Sequence, residues 1–158
     1  MIPRPFLAFL LFPLVAVFGE KAVPETDSAW DSLSFRIEDS RAFVGIAPVY
    51  LSVSELKPVD GFLVGTYEIR VPLKKSKNDH GKIVLPLNAE VGELGSNGGV
   101  LRGKAHSKTE EGMVNQIVCE IIPEKNQAIR LAITTDERTI EFKSRYTVIG
   151  SKESVTDG

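Results

Sequence analysis

One cysteine and two histidines are the residue types best suited to chemistry in this chain. A nucleophilic cysteine needs a lowered pKa, usually from a nearby histidine or a helix N-terminus. Cys119 instead alternates with Ile117 and Ile121 in the run QIVCEII. That alternation predicts a strand with the thiol pointing into a core, where cysteine behaves as a small hydrophobe. His80 follows Asp79 in a segment, Asn78-Asp79-His80-Gly81, that reads as a turn. His106 falls on the polar phase at the end of another alternating run. A hydrolytic triad requires serine, histidine and an acid to converge in space. Serine and acid are plentiful, so a small hydrolase working through His80 or His106 remains a third reading. The mature chain has no G-x-S-x-G elbow and no S-x-x-K in a convincing context. It also lacks H-E-x-x-H and the D-x-D-x-D-G calcium loop.

Glycoside chemistry needs two carboxyl groups facing one another across a cleft. Glu110-Glu111 and Asp136-Glu137 are sequence neighbours in loops, where adjacent acids ordinarily solvate a turn. With one cysteine, neither an intrachain disulfide nor a multi-cysteine metal site is available within the monomer. Neither a catalytic residue, a cofactor nor a metal is therefore expected.

The segment Leu73–Lys82 (LKKSKNDHGK) carries Lys74, Lys75, Lys77 and Lys82 against one aspartate. It is a local positive patch on a chain of formal net charge −2. Contact with an anionic surface is its functional reading; a solvated hairpin tip is the plainer one. Aromatic residues do not interleave with these lysines, and the net charge is acidic, so nucleic acid is not an expected partner.

The elements that must position these residues have period two. The chain has 158 residues, 42% apolar and 25% charged, enough for one domain with a core. Eight runs alternate: 33–37, 49–53, 63–71, 83–87, 101–105, 117–121, 129–133 and 140–148. One-sided alternation belongs to antiparallel sheets with one wet face. Residues 123–126, 135–138 and Asn97-Gly98-Gly99 read as turns between them. Residues 88–95 read as a single helical turn or a short edge strand, because two glycines disfavour a long helix. The expected fold is all-β: an antiparallel β-sandwich of about eight strands, with a small β-barrel as the alternative.

Residues 1–19, MIPRPFLAFLLFPLVAVFG, read as a cleavable signal peptide. Arg4 precedes an apolar run from Phe6 to Phe18, the length of an h-region (about 7–15 residues) and short of the ~20 a spanning helix needs. Val17 and Gly19 suit the positions before a cut at Glu20, and losing Arg4 takes the formal charge from −2 to −3. Residues 20–32 form an extended leader ending near Trp30, a residue suited to packing over one end of the sheet. Residues 33–150 form the domain, and 151–158 a tail with little to anchor it. No N-x-S/T acceptor occurs, and no later segment is apolar enough to span a bilayer.

Together these features point to a secreted or periplasmic, non-catalytic module with a binding or scaffolding role. Its partner would be a protein, a glycan or a small apolar ligand. The alternative is a carrier of a small apolar ligand, with Gly65, Gly103 and Ala105 leaving interior space.

Overall fold

The computed structural model describes residues 33–150. The expected signal peptide, the leader with Trp30, and the tail from residue 151 lie outside the described residues.

Among these residues ten strands, one short α-helix and two single 3-10 turns (Lys75–Lys77 and Pro123–Lys125) follow in chain order. They are β1 (Leu33–Ile37), β2 (Ser40–Val44), β3 (Ala47–Val53), β4 (Lys57–Val59), β5 (Phe62–Arg70) and β6 (Asp79–Pro86). After β6 come α1 (Val91–Asn97), β7 (Gly99–Ser107), β8 (Val114–Ile122), β9 (Ala128–Thr134) and β10 (Thr139–Gly150). All pairings are antiparallel, in the order β1-β10-β9-β8-β7-β6-β5-β3-β2, with β4 added beside β5. The nine-strand path curls into a half-barrel.

Curling brings the ends of that path close. β1 and β2 stand at opposite ends of the order, yet only Glu38 and Asp39 separate them in sequence. β1 pairs with β10 and β2 with β3. Phe35 and Leu56 exchange backbone hydrogen bonds of 2.9 and 2.8 Å, stitching β1 to the segment just before β4. The Ser34 hydroxyl donates to Glu55 Oε1 at 2.6 Å on the same seam.

The inner face carries the residues of the apolar phases, and they fill it. Leu63, Ile83, Leu85 and Phe142 have no exposed surface, and Leu101, Ile117, Cys119 and Leu131 have 1% each. Burying one such aliphatic side chain stabilises by roughly 1.5–3 kcal/mol. Phe35 meets Tyr146 edge-on with centroids 5.4 Å apart. Helix α1 lies over one end of this core. It buries Val91 and Leu94, and its Gly95 carbonyl accepts a 2.7 Å hydrogen bond from the Tyr146 hydroxyl.

Three sequence expectations change. Ten strands replace about eight, because the short runs of β2 and β4 carry too few alternations to stand out. Residues 91–97 form nearly two helical turns, held by tertiary burial of Val91 and Leu94 despite Gly92 and Gly95. Residues 79–81 are not a turn. They open β6, where Asp79, His80 and Gly81 pair with Ile69, Glu68 and Tyr67, and the chain reverses earlier, between Arg70 and Asp79.

Candidate functional site

Cys119 sits at the centre of β8, flanked by Leu101 on β7 and Leu131 on β9. Burial pushes its thiol up to about 12, against an ordinary 9.0, so it stays protonated and poorly nucleophilic at neutral pH. This placement matches the core reading of its alternation.

His80 belongs to β6 and is exposed, so its assignment to a turn is corrected. Its Nδ1 lies 3.1 Å from the Thr109 hydroxyl, and its backbone N–H donates to the same oxygen at 3.3 Å. His106 lies on the outer face of β7, opposite Lys82 on one side and Val114 on the other.

Beside His80 a polar cluster forms that the sequence did not announce. The Tyr67 hydroxyl donates to Asp79 Oδ2 at 2.6 Å, and the Ser107 hydroxyl donates to Asp79 Oδ1 at 2.5 Å. Ser107 Oγ in turn accepts the N–H groups of Thr109 and Glu110 at 3.1 and 3.0 Å. Gly81 makes this closeness possible. A Cβ there would collide with the His106 carbonyl oxygen and stand 3.0 Å from the Tyr67 ring. The cluster borders an open cleft of about 820 Å³ lined in part by Ser52, Glu68, His80 and Lys108.

Serine, acid and histidine thus lie near one another without forming a catalytic relay. A nucleophilic serine gives its proton to a histidine. Ser107 directs its proton into a hydrogen bond with Asp79, and its lone pairs are occupied by two loop N–H groups. His80 is directed at Thr109 instead. Burial, and secondarily the Asp79 carboxylate, raise the Tyr67 pKa well above the ordinary phenol value. The arrangement binds the β7–β8 loop to β5 and β6. Ser54 and Lys57 form an S-x-x-K, but in extended chain, where positions three apart face opposite ways. Ser54 Oγ accepts the Thr66 N–H at 2.8 Å.

The acidic pairs stay in loops. Glu137 bonds Lys77 at 2.9 Å, and that bond holds its carboxyl below the ordinary value. The four lysines read as one patch are divided. Lys74, Lys75 and Lys77 lie in the β5–β6 connection, with Lys77 committed to Glu137. Lys82 is on β6, on the outer face between Thr66 and His106.

There its basic neighbours are His106 and two residues that were not singled out from the sequence, Arg102 and Lys104. Arg102, Lys104 and His106 occupy alternate positions of β7, all exposed on the same face. Their signal was the polar phase of LRGKAHS, legible as a strand face and not as a site. The β6–β7 ladder ends at Val84↔Lys104, although β6 continues to Pro86 and β7 begins at Gly99. Gly103 presses against the β6 backbone, where a Cβ would collide with the Val84 carbonyl oxygen. Around that point lies an open groove of about 390 Å³, lined by Phe62, Val84 and Pro86 and by Arg102, Lys104 and His106. Among the described residues, none of Lys82, Arg102 and Lys104 takes part in an ion pair.

No family model, curated protein or solved structure matches this chain.

Proposed function

We propose that the chain is an exported, non-catalytic β module that binds a partner through its outer surface. The observation that carries this reading is the division of labour between the two faces of the sheet. The core residues of the inner face pack to 0–8% exposure, with partly buried residues such as Ile140 and Val148 against them, whereas the outer face holds basic side chains without ion-pair partners beside an exposed Phe62. Interior space would forfeit the burial energy that each inner side chain contributes, so a filled interior weighs against the carrier alternative. Gly65 and Gly103, read as space-leaving positions, are instead close approaches. A Cβ at Gly65 would stand 2.6 Å from Leu56 Cδ2.

The finer fold reading is a small barrel closed at the β1–β2 break. Its support is the Phe35–Leu56 hydrogen-bonded pair and the continuity of chain between strands at the two ends of the path. Export rests on residues 1–19 of the sequence. Among the described residues no helix is long and apolar enough to cross a membrane.

Native mass spectrometry of protein recovered after export tests the proposal. The expected spectrum begins at Glu20 and shows a non-covalent adduct that vanishes on denaturation. A chain retaining residues 1–19 overturns export. Recovered protein that stays bare in the presence of its native surroundings overturns the binding role.

A further inference from the structure

We infer that the outer groove between β6 and β7 is a binding site for a single-chain anionic amphiphile, such as a medium-chain fatty carboxylate. The inference rests on the binding-module reading above and names its ligand class.

The groove offers two chemistries side by side. Arg102 and Lys104 are alternate residues of one strand, about 6.6–6.8 Å apart along it, both projecting outward. Lys82 stands across the β6–β7 ladder, opposite His106. This concentration of positive charge occurs on a chain whose formal net charge is negative, so composition alone does not produce it. Guanidinium and ammonium groups without a protein carboxylate to pair with are suited to an anionic head. Next to them, Phe62 is 40% exposed and lies opposite Pro86, with Val84 beside it. An apolar tail against these residues would cover surface that water otherwise contacts.

The shape favours a small molecule over a bilayer. The groove lies on the outer face of the sheet, beside the last β6–β7 pair Val84↔Lys104, rather than on a projecting loop tip. The two most exposed large apolar residues among those described, Ile46 on the β2–β3 hairpin and Leu73 after β5, belong to other loops. A neutral apolar ligand would leave the cations unused, and a small polar anion would leave Phe62 uncovered.

The test is a calorimetric titration of the folded chain with sodium decanoate below micelle formation. Decanol and acetate are parallel titrants, and sedimentation with anionic phospholipid vesicles is a separate arm. The expected result is saturable binding of one decanoate per chain, with both parallel titrants far weaker and no co-sedimentation with vesicles. R102Q/K104Q and F62S should each weaken decanoate binding by about tenfold or more. K74Q/K75Q, which removes the same charge from the β5–β6 loop, should leave it unchanged. All the substituted positions are exposed, and unchanged melting curves confirm that the variants fold.

The inference is overturned if decanoate does not bind, or binds equally well to R102Q/K104Q and F62S. Equal binding of decanol, or vesicle binding without decanoate binding, overturns it as well. If decanoate fails while exported protein still carries another non-covalent partner, the ligand class falls and the binding-module reading stands.

Discussion

The phenol of Tyr67 donates a 2.6 Å hydrogen bond to Asp79, a diagonal neighbour on the adjacent strand, directly over Gly81. The same carboxylate accepts the Ser107 hydroxyl, so three strands and the β7–β8 loop meet at one acid. Its chemistry is that of a clamp: each strong donor near the carboxylate already has a structural use.

Removing a donor from this clamp should cost stability. Tyr67→Phe is expected to destabilise by about 1–2 kcal/mol, because a part-buried carboxylate loses a charge-assisted bond. Asp79→Ala should cost more, since it strands both the phenol and the Ser107 hydroxyl. Urea melts followed by circular dichroism measure both. Equal or raised stability in Asp79→Ala would show that the clamp contributes nothing.

Gly81 should tolerate no side chain. Gly81→Ala places a methyl against the His106 carbonyl at a residue paired on both sides, with Tyr67 and Ser107, where backbone cannot retreat cheaply. A loss of about 1–3 kcal/mol is expected, read as a lowered thermal midpoint.

Cys119 should be silent to thiol reagents in the folded protein and react only on unfolding. Native-state labelling with an aromatic disulfide reagent, with and without denaturant, checks this. Cys119→Ser is expected to destabilise more than Cys119→Ala, because a hydroxyl at a position 1% exposed must find a partner among aliphatic side chains. Rapid labelling without denaturant would contradict the core placement.

Alkaline pH should weaken the fold through the same groups. Burial raises the folded-state pKa of Cys119 to about 12 from 9.0, and burial with Asp79 raises that of Tyr67 above 10.0. A raised folded pKa means that the unfolded chain releases its proton first. The stability these groups contribute is complete below about pH 9 and declines as pH rises beyond it. Cys119→Val and Tyr67→Phe should each flatten the decline. A melting temperature that holds level through this range would contradict the assignment.

What the sequence made legible was the face of each long strand. Ile117, Cys119 and Ile121 lie inward as their spacing implied, as do Ile129, Leu131 and Ile133. Two-residue periodicity is a local property, enforced by burial on one side. Contacts that depend on register were not legible. Nothing local places Tyr67 over Asp79, Ser107 beside both, or Lys82 beside His106. Those neighbours follow from which residues pair across strands, and the pairing is set by the whole sheet. That the four lysines span two elements was not legible for the same reason. Lys82 is five residues from Lys77, yet a strand boundary at Asp79 lies between them, and Lys77 is bonded to Glu137 sixty residues away. Helix α1 was half-legible because its residues carry little propensity of their own. Its order comes from Val91 and Leu94 buried against β1, β8 and β10.

The proposed division between a filled interior and a ligand-binding outer face is tested most directly by mapping decanoate onto isotope-labelled protein by nuclear magnetic resonance. Chemical-shift changes are expected at the amides of Lys82, Val84, Arg102 and Lys104 and on the Phe62 ring, saturating together. The methyl signals of Ile83, Ile117 and Leu131 should stay in place. Saturable movement of those interior methyls, with the outer amides unmoved, would show that the ligand enters the core and would contradict the surface-binding function proposed here.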